Sequence, residues 1–555
     1  MTGTDQKSST SGSTARRTIH PGLVLLIIAG AQVMVVLDAT IVNIALPSMG
    51  EYFGKNQTDM TWALNAYTLA FGSGLLLGGR SGDLLGRRKM FIIGLGLFTL
   101  GSLLGGLSFN FGFLLFGRVI QGFGGAIASP TALSLITTSF DEGEERNRAI
   151  SVYAAVSGAG AAVGLLLGGI LTEYLTWRWV LFVNVPIGIL LMVGAFLYLH
   201  ESERLKGKFD FIGAVSSALG MFMLVYGFIH VAHDGWANAE TYALFLAAAV
   251  LLIGFVVFEA KVAKEPMMPM RIFANRSRSG AYIVMLVVGA AMFGLFYFVT
   301  YFIQQVLGYS ALKAGFAFLP VAITIGITAQ IAGKALPKAG PKALITGGTG
   351  LLVVAMLLLS TVTAESTYLG KLLPGMIILA IAMGLIFVPI TSVAVSNVRN
   401  TDAGLASALL NVGQQVGGAI GLSVLATVAA TTGKNYASAH ISDAGKAVAT
   451  LPQDLQQPVQ GFLGSSGGKA PEPEQIQAFI HSQPAAEQAT LQHFFGPDGA
   501  LQQMFTAHVQ AHSSAMGFLT AAVFAIVALV VAATVINVKK EDLPTGAEDS
   551  APMVV

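Results

Sequence analysis

The residues best placed to do chemistry in this chain are one aspartate and one arginine, each embedded in apolar sequence. Asp38 lies in "VVLDATIVNIALP" (35–47), within an apolar run from Leu23 to Pro47, and Arg118 lies in "LLFGRVIQGFGGA" (114–126). A charge at the centre of a membrane span costs about 2.5–3.5 kcal/mol on insertion scales, so such residues pair with one another or move charge. At about 1.5 Å per residue, Asp38 is roughly 22 Å from the Leu23 end of a hydrocarbon core about 30 Å thick. Arg118 falls about seven residues into a span read as entering from the other side, roughly 10 Å below that surface. Their depths match. Burial disfavours a charged carboxylate and a nearby guanidinium favours it, while arginine stays protonated throughout. An arginine that approaches and leaves the aspartate would therefore switch it between releasing and binding a proton. On this reading Asp38 and Arg118 form a proton-coupling site, for which a cationic substrate could compete. The bland alternative is a carboxylate satisfied by backbone or lipid headgroups.

The elements that position this pair must be membrane helices. The 555 residues are 54% hydrophobic and only 11% charged, against about 25% charged in a soluble domain. Runs this continuously apolar satisfy their backbone groups in lipid as helices. Spans are expected near 23–47, 60–79, 90–108, 111–137, 149–172, 178–199, 211–231, 241–258, 281–307, 311–332, 343–362, 371–395, 403–428 and 514–536. The fold class expected is thus all-α and integral to the membrane, with fourteen transmembrane helices. Placing both termini in the cytoplasm puts 23 of the 31 lysines and arginines inside and seven outside, with Arg118 within a span. The positive-inside rule favours that orientation, in a multi-pass protein of the cytoplasmic (cell) membrane.

Other chemistries are poorly supported. The net charge of +2 gives no reason to expect a nucleic-acid partner, and the absence of cysteine excludes disulfides, thiolate metal sites and cysteine nucleophiles. "GSSGGKA" (464–470) lacks the spacing and hydroxyl residue of a P-loop. There is no HExxH, and no acid pair in a plausible membrane active site, so no enzyme and no cofactor is expected beyond the proton as coupling ion. His508 and His512 stand at i, i+4 in a polar stretch, 431–512, that carries six acids to three lysines. That spacing suits two metal ligands, but no second pair accompanies it, and no metal is assigned. The stretch reads as an external helical cap or a flexible loop.

The sequence also repeats itself. Glycines at 160, 164 and 168 in "GAAVGLLLG" recur 253 residues later at 413, 417 and 421 in "GQQVGGAIG". The basic loop "GRSGDLLGRRK" (Gly79 to Gly86) recurs 254 residues later as "GKALPKAGPK" (Gly333 to Gly340). Two features at nearly one offset argue for a duplicated six-helix unit with two helices inserted between the copies. Glycine every fourth residue lets neighbouring helices approach closely, for sliding or for static packing. The divisions expected are a disordered tail (1–22), an N-terminal six-helix bundle (23–200), two inserted linker helices with a basic cytoplasmic loop (201–279), a C-terminal six-helix bundle (280–540) including 431–512, and a cytoplasmic tail (541–555).

These motifs resemble the major facilitator superfamily, and within it the fourteen-span drug:proton antiporter-2 group of multidrug exporters, over roughly 23–430 and 514–540. "LDATIVNIALP" (37–47) is similar to the group's first-helix signature, and "WRWVLFVNVPIG" (177–188) is typical of it. The 79–89 loop matches through Gly79, Asp83, Gly86, Arg87 and Arg88, with Ser81 where leucine is usual. The fourth-helix motif matches through Arg118, Gln121, Gly122 and Ala126. The antiporter motif of the fifth helix departs, because Leu165 follows Gly164 where proline is usual.

The resemblance implies two six-helix bundles of major-facilitator type and makes the 79–89 loop a latch for one conformational state. Physically, Gly79 and Gly86 would permit a tight turn, and Asp83 would accept hydrogen bonds from a helix N-terminus of the other bundle. Phe293, Tyr297, Tyr301 and Gln304 recur at helical spacing. With Tyr67 and Gln121 they are the expected lining of a mostly apolar cavity of the kind that takes an amphipathic ligand, although ordinary packing would produce the same stripe. The expectation is a secondary active multidrug exporter that exchanges hydrophobic or amphipathic, cationic compounds for protons, with membrane lipids as its surroundings. A dedicated exporter of one endogenous metabolite, antibiotic or lipid is the nearest alternative. A non-transporting receptor or scaffold built on 431–512 is the alternative of another class.

Overall fold

The computed structural model describes residues 21–140, 144–201, 210–234, 238–263, 268, 270–396, 403–465, 473–496, 499–501 and 505–538. Of the expected tails, 1–22 and 541–555, residues 1–20 and 541–555 lie outside the described residues, and Pro21 and Gly22 open α1. The first bundle comprises α1 (Pro21–Phe53), α2 (Gln57–Leu85), α3 (Arg87–Gly106), α4 (Phe111–Ser139), α5 (Glu144–Tyr174), and a sixth span made of α6 (Trp179–Phe182) and α7 (Asn184–Tyr198), joined through the helical backbone of Val183. α8 (Phe211–Asp234) and α9 (Ala239–Lys261) form a hairpin set against α2 and against a helix of the second bundle, Ala403–Ala439. The second bundle comprises α10 (Arg276–Tyr301), α11 (Ala311–Ala339), α12 (Pro341–Leu359), α13 (Leu373–Val395), α14 (Ala403–Ala439) and a last span, α19 (Ala507–Val535). Twelve helical stretches among the described residues are long and apolar enough to cross a membrane. α2 and α5, packed in the same bundle, bring the long spans to fourteen.

The two bundles repeat one packing scheme. The first helix lies on the fifth (α1 on α5, α10 on α14), and the fourth lies between the second and third (α4 with α2 and α3, α13 with α11 and α12). Across the bundles, the second helix of each meets the fifth of the other, α2 with α14 and α11 with α5. The glycine stripes explain the first contact. A Cβ at Gly164 would stand 2.9 Å from the Leu37 carbonyl of α1, and one at Gly168 2.8 Å from that of Ile41. In the second bundle a Cβ at Gly421 would collide with Cα of Ala290, and Gly417 is closed off by the Leu286 carbonyl of α10. Each stripe therefore seats the fifth helix on the first helix of its own bundle.

Several helices outrun the apolar stretches that announce them. α1 continues past Pro47 to Phe53, and α14 runs to Ala439 although the apolar stretch ends near 428. In α14 the hydroxyls of Ser423, Thr427 and Thr432 donate to carbonyls four residues back, so polar residues extend the helix without leaving a donor unpaired. The expected turn at 79–86 is smaller than its two glycines suggest. Gly79 is helical within α2, and the chain reverses at Gly86 alone, with φ +110°. Its repeat partner Gly340 has φ +78° between α11 and α12. The close approach within α2 falls instead at Gly78, against the Ala126 carbonyl of α4.

Among the described residues, the polar stretch between the last two spans is helical. α15 (Ile441–Val448), α16 (Gln453–Ser465), α17 (Pro473–Ser482) and α18 (Ala485–Phe495) enclose a small apolar core of their own, including Val448, Leu455, Val459, Ile480, Leu491 and Phe494.

Candidate functional site

Asp38 and Arg118 meet at the centre of the first bundle. Arg118 Nη1 is 2.6 Å from Asp38 Oδ2, and the side chains are 1% and 0% exposed. The other carboxylate oxygen, Oδ1, accepts from Gln121 Nε2 at 2.7 Å and Asn184 Nδ2 at 3.0 Å. Four helices thus converge on one carboxylate: α1 supplies it, α4 the arginine and glutamine, α7 the asparagine, and α3 a hydroxyl, since Gln121 Nε2 also donates to Ser102 Oγ at 2.7 Å. Arg118 is held by more than its ion pair. Its Nε donates to the Ala63 carbonyl of α2 at 2.9 Å and its Nη1 to Gln121 Oε1 at 2.8 Å, while the guanidinium lies 4.4 Å from the ring centre of Tyr67. Breaking a buried pair of this kind by removing one partner costs about 3–5 kcal/mol. All three partners of Asp38 present donors, the arrangement an ionised carboxylate requires.

The bundles are joined in the half of the molecule remote from the termini. Gln304 Nε2 donates to the Ile44 carbonyl at 3.0 Å, and the Tyr297 hydroxyl donates to the carbonyl of Gln57. Gln510 Nε2 reaches Gln57 Oε1 at 2.9 Å, and the Leu312 amide reaches Glu173 Oε2 at 3.2 Å. Deeper in, Asn65 Nδ2 donates to Ser423 Oγ at 3.1 Å. Gly169 and Gly315 bring the backbones of α5 and α11 together, because a Cβ on either would lie under 3 Å from the other helix. Gln304 belongs to a π-helical turn, Phe302–Val306, a device that often re-aims side chains at functional sites.

The α3 end of the α2–α3 turn is held within the first bundle. Glu201 accepts from the amides of Arg88 and Lys89, each at 3.1 Å, and so meets the partial positive charge of the α3 N-terminus. Arg88 donates to the carbonyls of Ala195 and Phe196 at the end of α7. The side chain of Asp83 lies outside the described residues.

The profile of the Major Facilitator Superfamily matches residues 28–422. The chain belongs to that superfamily. Its sequence is 40% identical over 420 residues to the puromycin resistance protein pur8 of Streptomyces alboniger, covering 75% of this chain and 83% of that one. It is 37% identical over 432 residues to the cephamycin export protein CmcT of Amycolatopsis lactamdurans (77% and 88% covered). It is also 32% identical over 399 residues to the multidrug resistance protein Stp of Mycobacterium tuberculosis strain CDC 1551 / Oshkosh (72% and 74% covered). These relatives place this facilitator in the superfamily's multidrug-efflux group. Among solved structures, a bacterial homologue of the human lysosomal transporter Spinster, in an inward-facing and unoccupied conformation, shares the fold. Its TM-score is 0.59 at 17% identity, with 94% of this chain and 98% of that one covered. The peptide transporter POT in complex with sulfate follows at 0.54 and 16% identity, with 74% and 89% covered.

Within this facilitator the six residues expected to line one cavity are divided among three places. Gln121 and Tyr67 belong to the charge site. Tyr297, Tyr301 and Gln304 lie at the seam between bundles, the two tyrosine rings 4.9 Å apart and both buried. Phe293 packs on α14 at Gly418. Sequence reasoning missed Asn184, Ser102 and Glu201. Only Asn184 had a signal, standing inside the quoted 177–188 motif between two valines. His508 and His512 turn to different partners. His508 Nε2 pairs with Glu365 Oε1 at 2.9 Å, and His512 stacks on Tyr436 with ring centres 4.5 Å apart.

Proposed function

We propose that this facilitator is a secondary active exporter that moves hydrophobic or amphipathic small molecules out of the cell in exchange for protons. The observation that carries the reading is the enclosed Asp38–Arg118 pair. There an acid and a base are both fully buried and bonded to each other. A buried carboxylate that loses its counterion must take up a proton or bear a large desolvation cost. A shift of α4 against α1 would therefore be coupled to proton binding. Relatives named for puromycin resistance and cephamycin export support an outward small-molecule cargo. The lysine and arginine distribution supports cytoplasmic termini, which would put the hydrogen bonds that join the bundles on the external side. Rocking of one bundle on the other would complete the cycle.

The enclosure of Asp38 alters one element of the expected exchange. Three partners surround the carboxylate, so cargo acts on it through the helices, not by touching it, and the site itself does not select a cation. Hydrophobic shape and the uncharged polar groups between the bundles would do the selecting. The test is transport by purified protein in liposomes under an imposed pH gradient, with ethidium as a cationic cargo and puromycin as an amphipathic one. Asp38→Asn should insert, fold and still equilibrate cargo downhill, yet lose pH-driven accumulation, and Arg118→Ala should move the pH dependence. Accumulation by Asp38→Asn with an unchanged pH profile would make the pair structural.

A further inference from the structure

The hydrogen bonds around Asp38 assign different roles to its two amide neighbours. Gln121 is committed at both ends: its Oε1 accepts from Arg118 Nη1, and its Nε2 serves both Asp38 Oδ1 and Ser102 Oγ. Turning that amide over would aim its NH2 group at a guanidinium and leave two donors face to face. Asn184 is committed at one end only. Its Nδ2 donates to Asp38 Oδ1 at 3.0 Å, while its Oδ1 is buried with no hydrogen-bond partner, in a residue that is 0% exposed. A buried carbonyl oxygen left unpaired costs about 1–3 kcal/mol, and in a well-packed site such an atom calls for an explanation.

We propose that Asn184 is the proton-state reader of this transporter. It is a positioning residue whose amide donates to the Asp38 carboxylate and, after a half-turn about its last side-chain bond, accepts from the Asp38 carboxylic acid. The step balances simply. An O–H bond of hydronium breaks as the O–H bond at Asp38 Oδ1 forms, a water molecule is released, and the local charge rises by one. The new O–H needs an acceptor, and all three present neighbours of the carboxylate offer donors. Asn184 Oδ1 is the acceptor the site holds in reserve. Its place in the chain makes the turn consequential. Asn184 follows Val183, whose helical backbone carries the sixth span from α6 into α7. The start of that span is anchored, because Arg178 Nη1 donates to the carbonyls of Gly106 and Ser108 at 2.9 and 2.7 Å. A change of partner at Asn184 is thereby delivered to a span held at its start.

This inference rests on the reading of Asp38 as the proton carrier, and the experiment separates the two. Full-length protein in lipid, with asparagine carrying a 13C side-chain carbonyl, is acidified stepwise and followed by infrared difference spectroscopy. The expected result is a carboxylic-acid band absent from Asp38→Asn. A labelled amide band should shift toward stronger hydrogen bonding at the same pH midpoint, absent both from Asp38→Asn and from Asn184→Leu. If the acid band titrates and no labelled amide band follows it, the amide switch is wrong while the coupling reading stands. If no acid band is lost in Asp38→Asn, the coupling reading fails and the switch with it. In transport, Asn184→Leu should lower pH-driven accumulation roughly tenfold, the equivalent of one unsatisfied buried group. Should Asn184→Leu fail to insert, the comparison of labelled wild type with Asp38→Asn still decides the question.

Discussion

Asp38 and Glu365 carry the same group in opposite surroundings. Asp38 is enclosed by three donors inside a bundle, whereas Glu365 stands exposed in the loop before α13 and accepts from Thr363 and from His508 at the start of α19. The Thr363 hydrogen bond, then the Glu365 backbone and His508, hold the Glu365 carboxyl below its ordinary value of 4.5. A depressed carboxyl contributes stability that is present above that ordinary value and is lost as pH falls through the depressed one. Glu365→Gln should therefore lower the melting temperature slightly at neutral pH and not at all in strong acid. The effect stays small because the pair is open to water and screened. Melts of the detergent-solubilised variant across pH check it, and an equal difference at every pH would contradict it. Residues of the two kinds were unequally legible in the sequence. Asp38 and Arg118 stand out because a charge in an apolar run is costly and conspicuous. Asn184 and Ser102 do not, since neutral polar side chains recur along many spans and only the folded bundle shows which of them turn toward the carboxylate.

Helices were legible where apolar length announced them and illegible at their ends, where the apolar signal fades before the helix does. α14 is the clear case, extended by hydroxyls bonded to their own backbone. The glycine stripes were also readable as close-packing faces, but not the partner they face. The structure supplies that partner, the first helix of the same bundle, and grades the positions along each stripe. A Cβ added at Gly413 would stand 3.3 Å from the Tyr282 carbonyl, and at Gly160 3.5 Å from Val36, both distances a small adjustment can absorb. At Gly417 it would collide with the Leu286 carbonyl, which belongs to a backbone that cannot step aside. Gly417→Ala should thus destabilise by about 1–3 kcal/mol or more, the usual range for overpacking, and Gly413→Ala by much less. Thermal unfolding in detergent measures both. Equal losses at the two positions would show that α14 shifts along α10 instead of gripping it.

At the scale of the whole molecule, the repeat could be read from two offsets in the sequence, but which faces of the repeats touch could not. Contacts between bundles depend on long-range placement, and an aromatic stripe suited to a cavity serves here as part of a seam. The seam makes the transport cycle testable, since bundles that rock must open it. Gln57 on α2 and Gln510 on α19 bridge it at 2.9 Å, and a chain with no cysteine allows a pair to be introduced without background. Gln57→Cys with Gln510→Cys should be joined efficiently by a short cleavable bis-maleimide in protein without cargo. The joined protein should retain cargo binding from the side bearing the termini but lose exchange, because alternation between two packings of rigid bundles is then blocked. Cleaving the linker should restore exchange, and each single-cysteine variant should be indifferent to the reagent. Undiminished turnover by protein shown to be fully joined would mean that the seam stays closed during transport, and that cargo crosses by some route other than rocking of the two bundles.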